Sequence, residues 1–201
     1  MNNSAPQWLT RTRTQLCGDL SELEQLYSAL YSRCSREQLA WRPAAGAWSI
    51  AECMEHVSQS ILQYLVPIRM AIANGAPPAP TEDDYVFRPG GWFSAAFLRR
   101  IGPQVTSKFK APRKIRPLSG DPEKSFEELR RGLLETKAIL DETPHRDLNR
   151  IIFRNPLIPV LRFTVATGFL ILAAHGRRHL LQAERVTKAD GFPQSRAQQS
   201  A

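Results

Sequence analysis

The chain has 201 residues, of which 42% are hydrophobic, and its formal net charge at pH 7 is +8. This length suits one domain with a substantial core, and three widely spaced cysteines argue against the disulfide framework of a small secreted protein. The longest apolar stretch, residues 163–174, has 12 residues, whereas a bilayer-spanning helix needs ~20. We therefore expect a cytoplasmic protein without a signal peptide or a membrane partner.

The first predicted helix spans roughly residues 5–35. Its apolar residues recur at steps of three and four, which places them on one face of a helix; they are Leu16, Leu20, Leu23, Tyr27 and Leu30. A turn-rich connector follows at residues 41–48, where two tryptophans, Trp41 and Trp48, are expected to pack one end of the molecule.

The second helix is predicted to begin after Ser49 and to run to about Asn74. Ser49 followed three residues later by Glu52 matches a capping box, in which each side chain satisfies a backbone amide at the helix start. Pro67 lies inside this helix and lacks the amide hydrogen that would bond to Gln63. We therefore expect a kink or an early stop near Pro67.

Residues 75–120 form a long, proline-rich crossover that contains seven of the 15 prolines and one predicted short helix, Trp92–Ile101. Its part at residues 99–116 has seven bases and no acid, a pattern that can indicate nucleic-acid binding. Phe109 is the only aromatic residue after Arg100 in this stretch, whereas single-strand binding surfaces usually interleave several. We expect a solvated crossover with no specific nucleic-acid partner.

The third helix is predicted from the Asp121-Pro122 start signal to Pro144, and the fourth from about Thr164 to Lys188. Residues 145–162 read as a loop, and no strand pattern of useful length appears. These elements predict an all-α four-helix bundle with a long crossover between helices 2 and 3. The expected domain spans residues 5–190, followed by a flexible tail at 191–201.

Two histidines, His175 and His179, stand four residues apart in the fourth predicted helix, so their imidazoles lie on one face. His56 in the second helix can join them if the two helices pack side by side. Three imidazoles leave coordination positions of a metal open, as catalytic sites do, and imidazole suits Zn²⁺, Ni²⁺, Fe²⁺ or Co²⁺. The alternative is that these are ordinary surface or hydrogen-bonded core histidines.

Two motifs resemble those of DinB-like domains and occur in the same order. The first lies around the start of the second helix: Trp41-x-Pro43, Gly46-x-Trp48-Ser49-Ile50-Ala51-Glu52 and His56. The second lies in the last helix: Ala174-His175-Gly176-Arg177-Arg178-His179-Leu180-x-Gln182. The segment Lys110-Ala111-Pro112 with Pro117 is also similar, so the resemblance covers about residues 10–188.

This resemblance implies a four-helix bundle in which three histidines bind a divalent metal, and it assigns those roles to His56, His175 and His179. Such domains commonly carry an acidic residue at the start of the last helix, where this chain has the threonines Thr164 and Thr167. We therefore expect weaker capping of that helix.

The resemblance also implies a reaction, because characterised relatives include transferases and isomerases that use a low-molecular-weight thiol. A thiol bound to a metal held by neutral imidazoles loses its proton near neutral pH, and it can then attack a small electrophilic substrate. The same metal could instead activate water for hydrolysis, and a metal-binding or sensor protein without turnover is a further alternative. No other catalytic motif competes with this site. A homodimer is compatible with the sequence.

Several residues near the histidines have alternative roles. Arg177 and Arg178 could hold a carboxylate of a thiol cosubstrate or form a solvated helix face. Gln182 could orient a ligand or be a surface amide. Cys53 is expected to be a small buried residue rather than a ligand.

The remaining polar residues of interest are expected to be structural or solvent-exposed. Glu52 should cap its helix, Glu55 should be solvated, and His145 should lie at the surface.

Overall fold

A computed structural model describes residues 9–75, 77–79, 85–103 and 110–194. Six helices occur in these residues: α1 (Arg13–Arg33), α2 (Arg36–Ala40), α3 (Ile50–Ala73), α4 (Trp92–Ile101), α5 (Pro122–Glu142) and α6 (Val165–Val186). The long helices α1, α3, α5 and α6 form a four-helix bundle, which confirms the predicted fold class.

Each long helix packs chiefly against two others: α1 and α3 both contact α5 and α6. Arg69, late in α3, forms ion pairs with Glu135 and Glu142, late in α5, so these two helices run parallel. The guanidinium of Arg13 at the start of α1 donates to the carbonyl of Leu140 near the end of α5, so that pair is antiparallel. Helices α1 and α3 therefore occupy diagonal corners of the bundle, as do α5 and α6, whereas α3 and α5 are neighbours.

The structure differs from the prediction at the start of the first helix, and it contains a short helix that was not predicted. Residues 5–8 lie outside the described residues, and α1 begins only at Arg13, because Thr12 and Gln15 form a capping box there. A second box, made by Ser35 and Gln38, starts the short helix α2, which was not predicted.

The predicted starts of the later helices agree with the structure. Ser49 and Glu52 form the expected capping box of α3, and Asp121 caps α5. Helix α3 does not stop at Pro67 but continues to Ala73, so the predicted early stop is wrong. Helix α6 has no acidic residue in its first turn, and its cap is Thr164, whose hydroxyl accepts a hydrogen bond from the Thr167 amide.

The described part of the chain also contains four short strands, which the sequence pattern did not predict. Strand β1 (Arg11–Thr12) pairs antiparallel with β2 (Val86–Phe87), and β3 (Ile152–Arg154) pairs antiparallel with β4 (Arg162–Thr164). Strand β3 lies in the predicted loop at 145–162, and β4 begins at its last residue. Its central residues, Phe153 and Phe163, are buried against the bundle, so strands of three residues are enough to cover one end of the core.

The C-terminal segment is described as far as residue 194, and residues 195–201 of the predicted tail lie outside the described residues. Phe192 packs edge-on against Trp41 at 5.6 Å between ring centroids, and the Pro193 carbonyl accepts a hydrogen bond from the Gln38 side chain. Among the described residues, no helix combines the length and the apolarity needed to cross a membrane.

Candidate metal centre

The side-by-side packing of α3 and α6 brings the three predicted histidines together. The two helices run antiparallel, because Val57, early in α3, lies near Gly176, late in α6, whereas Ile68 lies near Gly168. His56 on α3 thus lies opposite His175 and His179 on α6. The ring centroids are 4.5–4.9 Å apart in every pair, and one nitrogen from each ring lies within 4.8 Å of the others.

His56 is held so that one nitrogen faces the other histidines with a free lone pair. Its Nδ1 lies 2.6 Å from the backbone carbonyl oxygen of Ile115. A carbonyl can only accept, so Nδ1 carries the proton and Nε2 does not. That Nε2 lies 3.1 Å from Nε2 of His175. Two nitrogens bound to one ion at ~2.0–2.1 Å lie roughly 3–3.4 Å apart, so this spacing suits a shared metal.

An unpaired nitrogen of His179 is a second indication that the cluster binds a cation. Its side chain is buried, and its Nδ1 has no hydrogen-bond partner among the described residues. An unpaired buried polar atom costs free energy and calls for an explanation, of which an ion is one. The donor set, its spacing and this unpaired nitrogen therefore fit a divalent metal.

Burial keeps the imidazoles neutral, which leaves their lone pairs available. It lowers the pKa of His56 to about 4 against a smaller opposing effect of the Ile115 hydrogen bond. Burial also lowers the pKa of His175 and of His179 well below the ordinary range. The positive charge of Arg178 lowers all three further, and no carboxylate is among the groups that act on them.

The two tryptophans of the connector have different roles. Trp48, just before α3, lies against the cluster at 4.7 Å from His56 and 5.8 Å from His179 between ring centroids. It is half-buried and forms one wall of the candidate site. Trp41 instead contacts the C-terminal segment, as described above. Both tryptophans pack against the core, as expected, and Trp48 in addition lies beside the histidines.

The residues suggested as cosubstrate ligands point to different sides of α6. Arg177 forms an ion pair with Glu22 of α1, away from the histidines. Arg178 is half-buried, donates to the Arg100 carbonyl at 3.3 Å and acts electrostatically on the cluster. The Gln182 amide opposes the downward pKa shift of His179, which places it close to that ring.

Cys53 and Glu52 are structural, as expected. Cys53 is fully buried, and burial raises the pKa of its thiol. Its sulfur is not in the group of potential metal ligands found in the described chain. Glu52 caps α3 and also accepts two hydrogen bonds from the Arg42 guanidinium, at 2.6 and 2.8 Å.

Glu55 differs from the expectation that it is solvated. Its side chain is buried, and its carboxylate accepts hydrogen bonds from the backbone amides of Leu118, Ser119 and Gly120. These donors are more than 60 residues away in sequence, so a local sequence pattern does not indicate them. A buried carboxylate with several backbone donors anchors the crossover to α3.

The basic stretch 99–116 passes directly beside the site. Its turn Arg113–Ile115 packs on α3 and supplies the carbonyl that binds His56. The flanking side chains of Arg113, Lys114 and Arg116 are exposed. Lys108 and Phe109 lie outside the described residues.

Two comparisons place the chain among known proteins. The profile of the DinB superfamily matches residues 19–183. Bacillus subtilis YfiT is similar in structure, with a TM-score of 0.58 and 13% sequence identity over 96% of this chain and 94% of that chain. YfiT is described as "a probable metal-dependent hydrolase with an unusual four-helix bundle topology". At that identity the likeness shows the fold alone. No match was found among curated proteins.

Proposed function

This chain belongs to the DinB superfamily, and we propose that it is a metal-dependent enzyme whose divalent ion is held by His56, His175 and His179. The observation that carries this proposal is the convergence of three neutral imidazoles, one of them with an unpaired buried nitrogen. The ligand type suits Zn²⁺, Ni²⁺ or Fe²⁺. Of the three residues, His175 is the least buried.

The proposed reaction is transfer of a low-molecular-weight thiol to a small electrophile. A bound ion would act as a Lewis acid that lowers the pKa of a thiol near it. The chain's own contribution is electrostatic, because the cluster contains no carboxylate among the described residues and Arg178 adds positive charge beside it. Such surroundings favour an anionic ligand, and a thiolate is one.

Within this proposal, Arg178 binds a carboxylate of the thiol cosubstrate, and Gln182 orients a group bound near His179. Arg178 acts electrostatically on all three histidines, whereas Arg177 forms an ion pair with Glu22 of α1. A guanidinium can hold a carboxylate through two parallel hydrogen bonds. The Arg177 side chain is expected to contribute only to the packing of α6 on α1.

Hydrolysis is the second candidate, and the likeness to YfiT favours it. The same three-histidine arrangement could lower the pKa of water instead of that of a thiol. Hydrolysis of most substrates also benefits from a residue that transfers protons, and no carboxylate acts on the cluster in the described chain. This difference makes thiol transfer the leading proposal.

Metal analysis of the purified protein tests the site. Wild-type protein should contain about one divalent ion per chain, and replacing all three histidines by alanine should remove it, because too few ligands remain. His145→Ala is a matched control, since His145 is exposed in a turn after α5. Metal that persists in the triple variant would refute the site.

Co²⁺-substituted protein distinguishes the two reactions. A thiol that binds to the ion should give a sulfur-to-metal charge-transfer band at saturating concentration. 3-Mercaptopropionate should bind more tightly than 2-mercaptoethanol, and Arg178→Gln should remove this preference. Absence of the band with every thiol would exclude thiol transfer and leave hydrolysis or a metal without a catalytic role.

We further propose a small-molecule substrate, a cytoplasmic location and no specific nucleic-acid partner. Basic residues alone give weak, salt-sensitive binding to nucleic acids, with Kd values of ~10⁻⁴–10⁻⁶ M at physiological salt. Submicromolar binding that depends on Lys110, Arg113 and Lys114 would contradict this. A homodimer is compatible with the proposal, and sedimentation would detect it.

A further inference from the structure

Two adjacent residues of α3, Glu55 and His56, both bind the last part of the crossover. We call residues 115–120 the strap. His56 donates to the Ile115 carbonyl at its beginning, and Glu55 accepts from three amides at its end. No other side chain of α3 hydrogen-bonds to the strap within the described residues. The strap is therefore fastened to the helix at two points, one of which is a proposed metal ligand.

The Glu55 contact is built to hold the strap in one place. The carboxylate lies 2.9 Å from the Leu118 amide, 3.2 Å from that of Ser119 and 2.7 Å from that of Gly120. It also accepts from the Gln59 side chain at 3.1 Å. Hydrogen bonds to an ionised acceptor are about twice as strong as neutral ones.

Gly120 explains why the strap can turn at this point. Its φ of +59° is in the left-handed region, and a Cβ there would lie 3.1 Å from Cγ of Glu52. Both the conformation and the close approach favour glycine. The turn lets three successive amides face one carboxylate, which fixes the path of the chain back to Ile115.

We propose that Glu55 is a positioning residue of the metal centre and acts through the strap. By fixing residues 118–120, Glu55 keeps the Ile115 carbonyl on Nδ1 of His56. That carbonyl keeps the proton on Nδ1 and the Nε2 lone pair directed at the cluster. Partners that orient a metal-binding imidazole in this way typically contribute 10–100-fold to metal affinity or activity. The inference rests on the proposed metal site.

Glu55→Gln tests this role, with Glu52→Gln as the matched control. Both are buried carboxylates in the first turns of α3, but Glu52 makes no hydrogen bond to the strap. Titration with Co²⁺ should give a Kd about 10–100-fold weaker for Glu55→Gln than for wild type, while Glu52→Gln keeps the wild-type Kd. Both variants should lower the melting temperature of the metal-free protein.

The metal-free protein gives a second measurement. In wild type, the Nδ1 proton of His56 should exchange slowly with water and give an NMR signal that His56→Ala removes. Glu55→Gln should broaden or abolish this signal, and Glu52→Gln should keep it. If Glu55→Gln does not fold, Glu55→Asp provides the comparison, because its carboxylate is one methylene too short to reach all three amides.

Three outcomes are distinguishable. Weaker metal binding and a lost proton signal in the Glu55 variant alone support the inference. Equal metal affinity in both variants, or a persisting proton signal, overturns it and leaves Glu55 as a purely structural anchor. A wild-type protein that binds no Co²⁺ overturns the proposed function instead, and the proton signal then still decides whether Glu55 positions His56.

Discussion

The two ends of the bundle each contain a buried polar cluster, but only one of them is satisfied by the protein itself. At the end where α1 begins, the Tyr85 hydroxyl donates to Asp147 at 2.6 Å and accepts from the Asn149 amide at 2.7 Å. The Arg13 guanidinium lies over the Tyr85 ring and donates to the carbonyls of Leu140 in α5 and of Thr143, the residue after α5. We call this the capping network. The histidine cluster at the opposite end contains Nδ1 of His179, which has no hydrogen-bond partner among the described residues.

The difference teaches how to separate structural from functional polar groups. A structural role is enough to account for the capping network, because each buried polar group there forms a hydrogen bond with another part of the chain. A structural role does not account for the histidine cluster, because one of its buried nitrogens has no hydrogen-bond partner in the described chain. Two other buried polar atoms are unpaired in the described chain, Oε1 of Gln59 and Oγ of Ser125, but neither belongs to a group of metal-binding side chains.

The largest expected effect is on metal binding at the unsatisfied end. His179→Ala should reduce metal affinity by at least about 100-fold, because two imidazoles hold an exchangeable ion poorly. The unfolding free energy of metal-free protein should change by less than ~1 kcal/mol, since the loss of packing is offset by removal of an unpaired buried nitrogen. Calorimetric metal titration and urea denaturation measure the two quantities. A large loss of apo stability with metal affinity retained would reverse the roles assigned to the two ends.

In the capping network, we expect a substitution to lower stability and to leave metal binding unchanged. Asp147→Ala leaves the Tyr85 hydroxyl without its acceptor and the Asn149 amide with the Tyr85 hydroxyl as its remaining acceptor, which should lower the unfolding free energy by about 2–3 kcal/mol. Metal stoichiometry should remain that of wild type. Urea denaturation with metal analysis checks both quantities. Tyr85→Phe removes the donor but leaves Asp147 its hydrogen bond from the Asn149 amide, so it should cost less stability than Asp147→Ala.

A smaller effect is expected at Cys53, which sits on α3 one turn before His56. The thiol is fully buried, and burial raises its pKa, so it should remain protonated and uncoordinated. Cys53→Ala should cost about 1 kcal/mol of stability with no change in metal affinity. In native protein, a thiol reagent should label the part-exposed Cys17 and Cys34 before Cys53. Weaker metal binding in the alanine variant would extend the site to sulfur.

The smallest effect is expected at Trp48, the wall of the histidine cluster. Trp48→Phe should alter metal affinity by less than ~0.5 kcal/mol, since the indole is part-exposed and offers no ligand. Co²⁺ should quench the fluorescence of wild-type protein because Trp48 lies within 6 Å of two of the histidine rings. This quenching should largely disappear in Trp48→Phe, and quenching that persists would place the ion near another tryptophan.

Local sequence signals were sufficient for most of the bundle and for the histidines. Ser49 with Glu52 and Asp121 with Pro122 mark helix starts because capping acts within one turn. The spacing of His175 and His179 is likewise a local property of one helix. Placing His56 beside them required the family resemblance, because helix packing is not encoded in spacing.

The features that sequence reasoning missed depend on distant partners. Glu55 looked solvated because its donors lie in the strap. Strands β3 and β4 were missed because each has only three residues, which is too few to show the alternation of polar and apolar residues that indicates a strand. Helix α2 could have been found, since Ser35 and Gln38 are a local signal of the same kind as Ser49 and Glu52.

The diagonal placement of α1 and α3 has a consequence for synthesis. The buried face of α1 packs on α5 and α6, and α5 begins only at Pro122, so the ribosome must make a long stretch of chain before that face finds its partners. Contacts between distant segments slow folding, and exposed apolar surface favours aggregation in the meantime. We expect nascent chains arrested before α5 to bind a holdase chaperone and chains arrested after α6 has left the exit tunnel to release it.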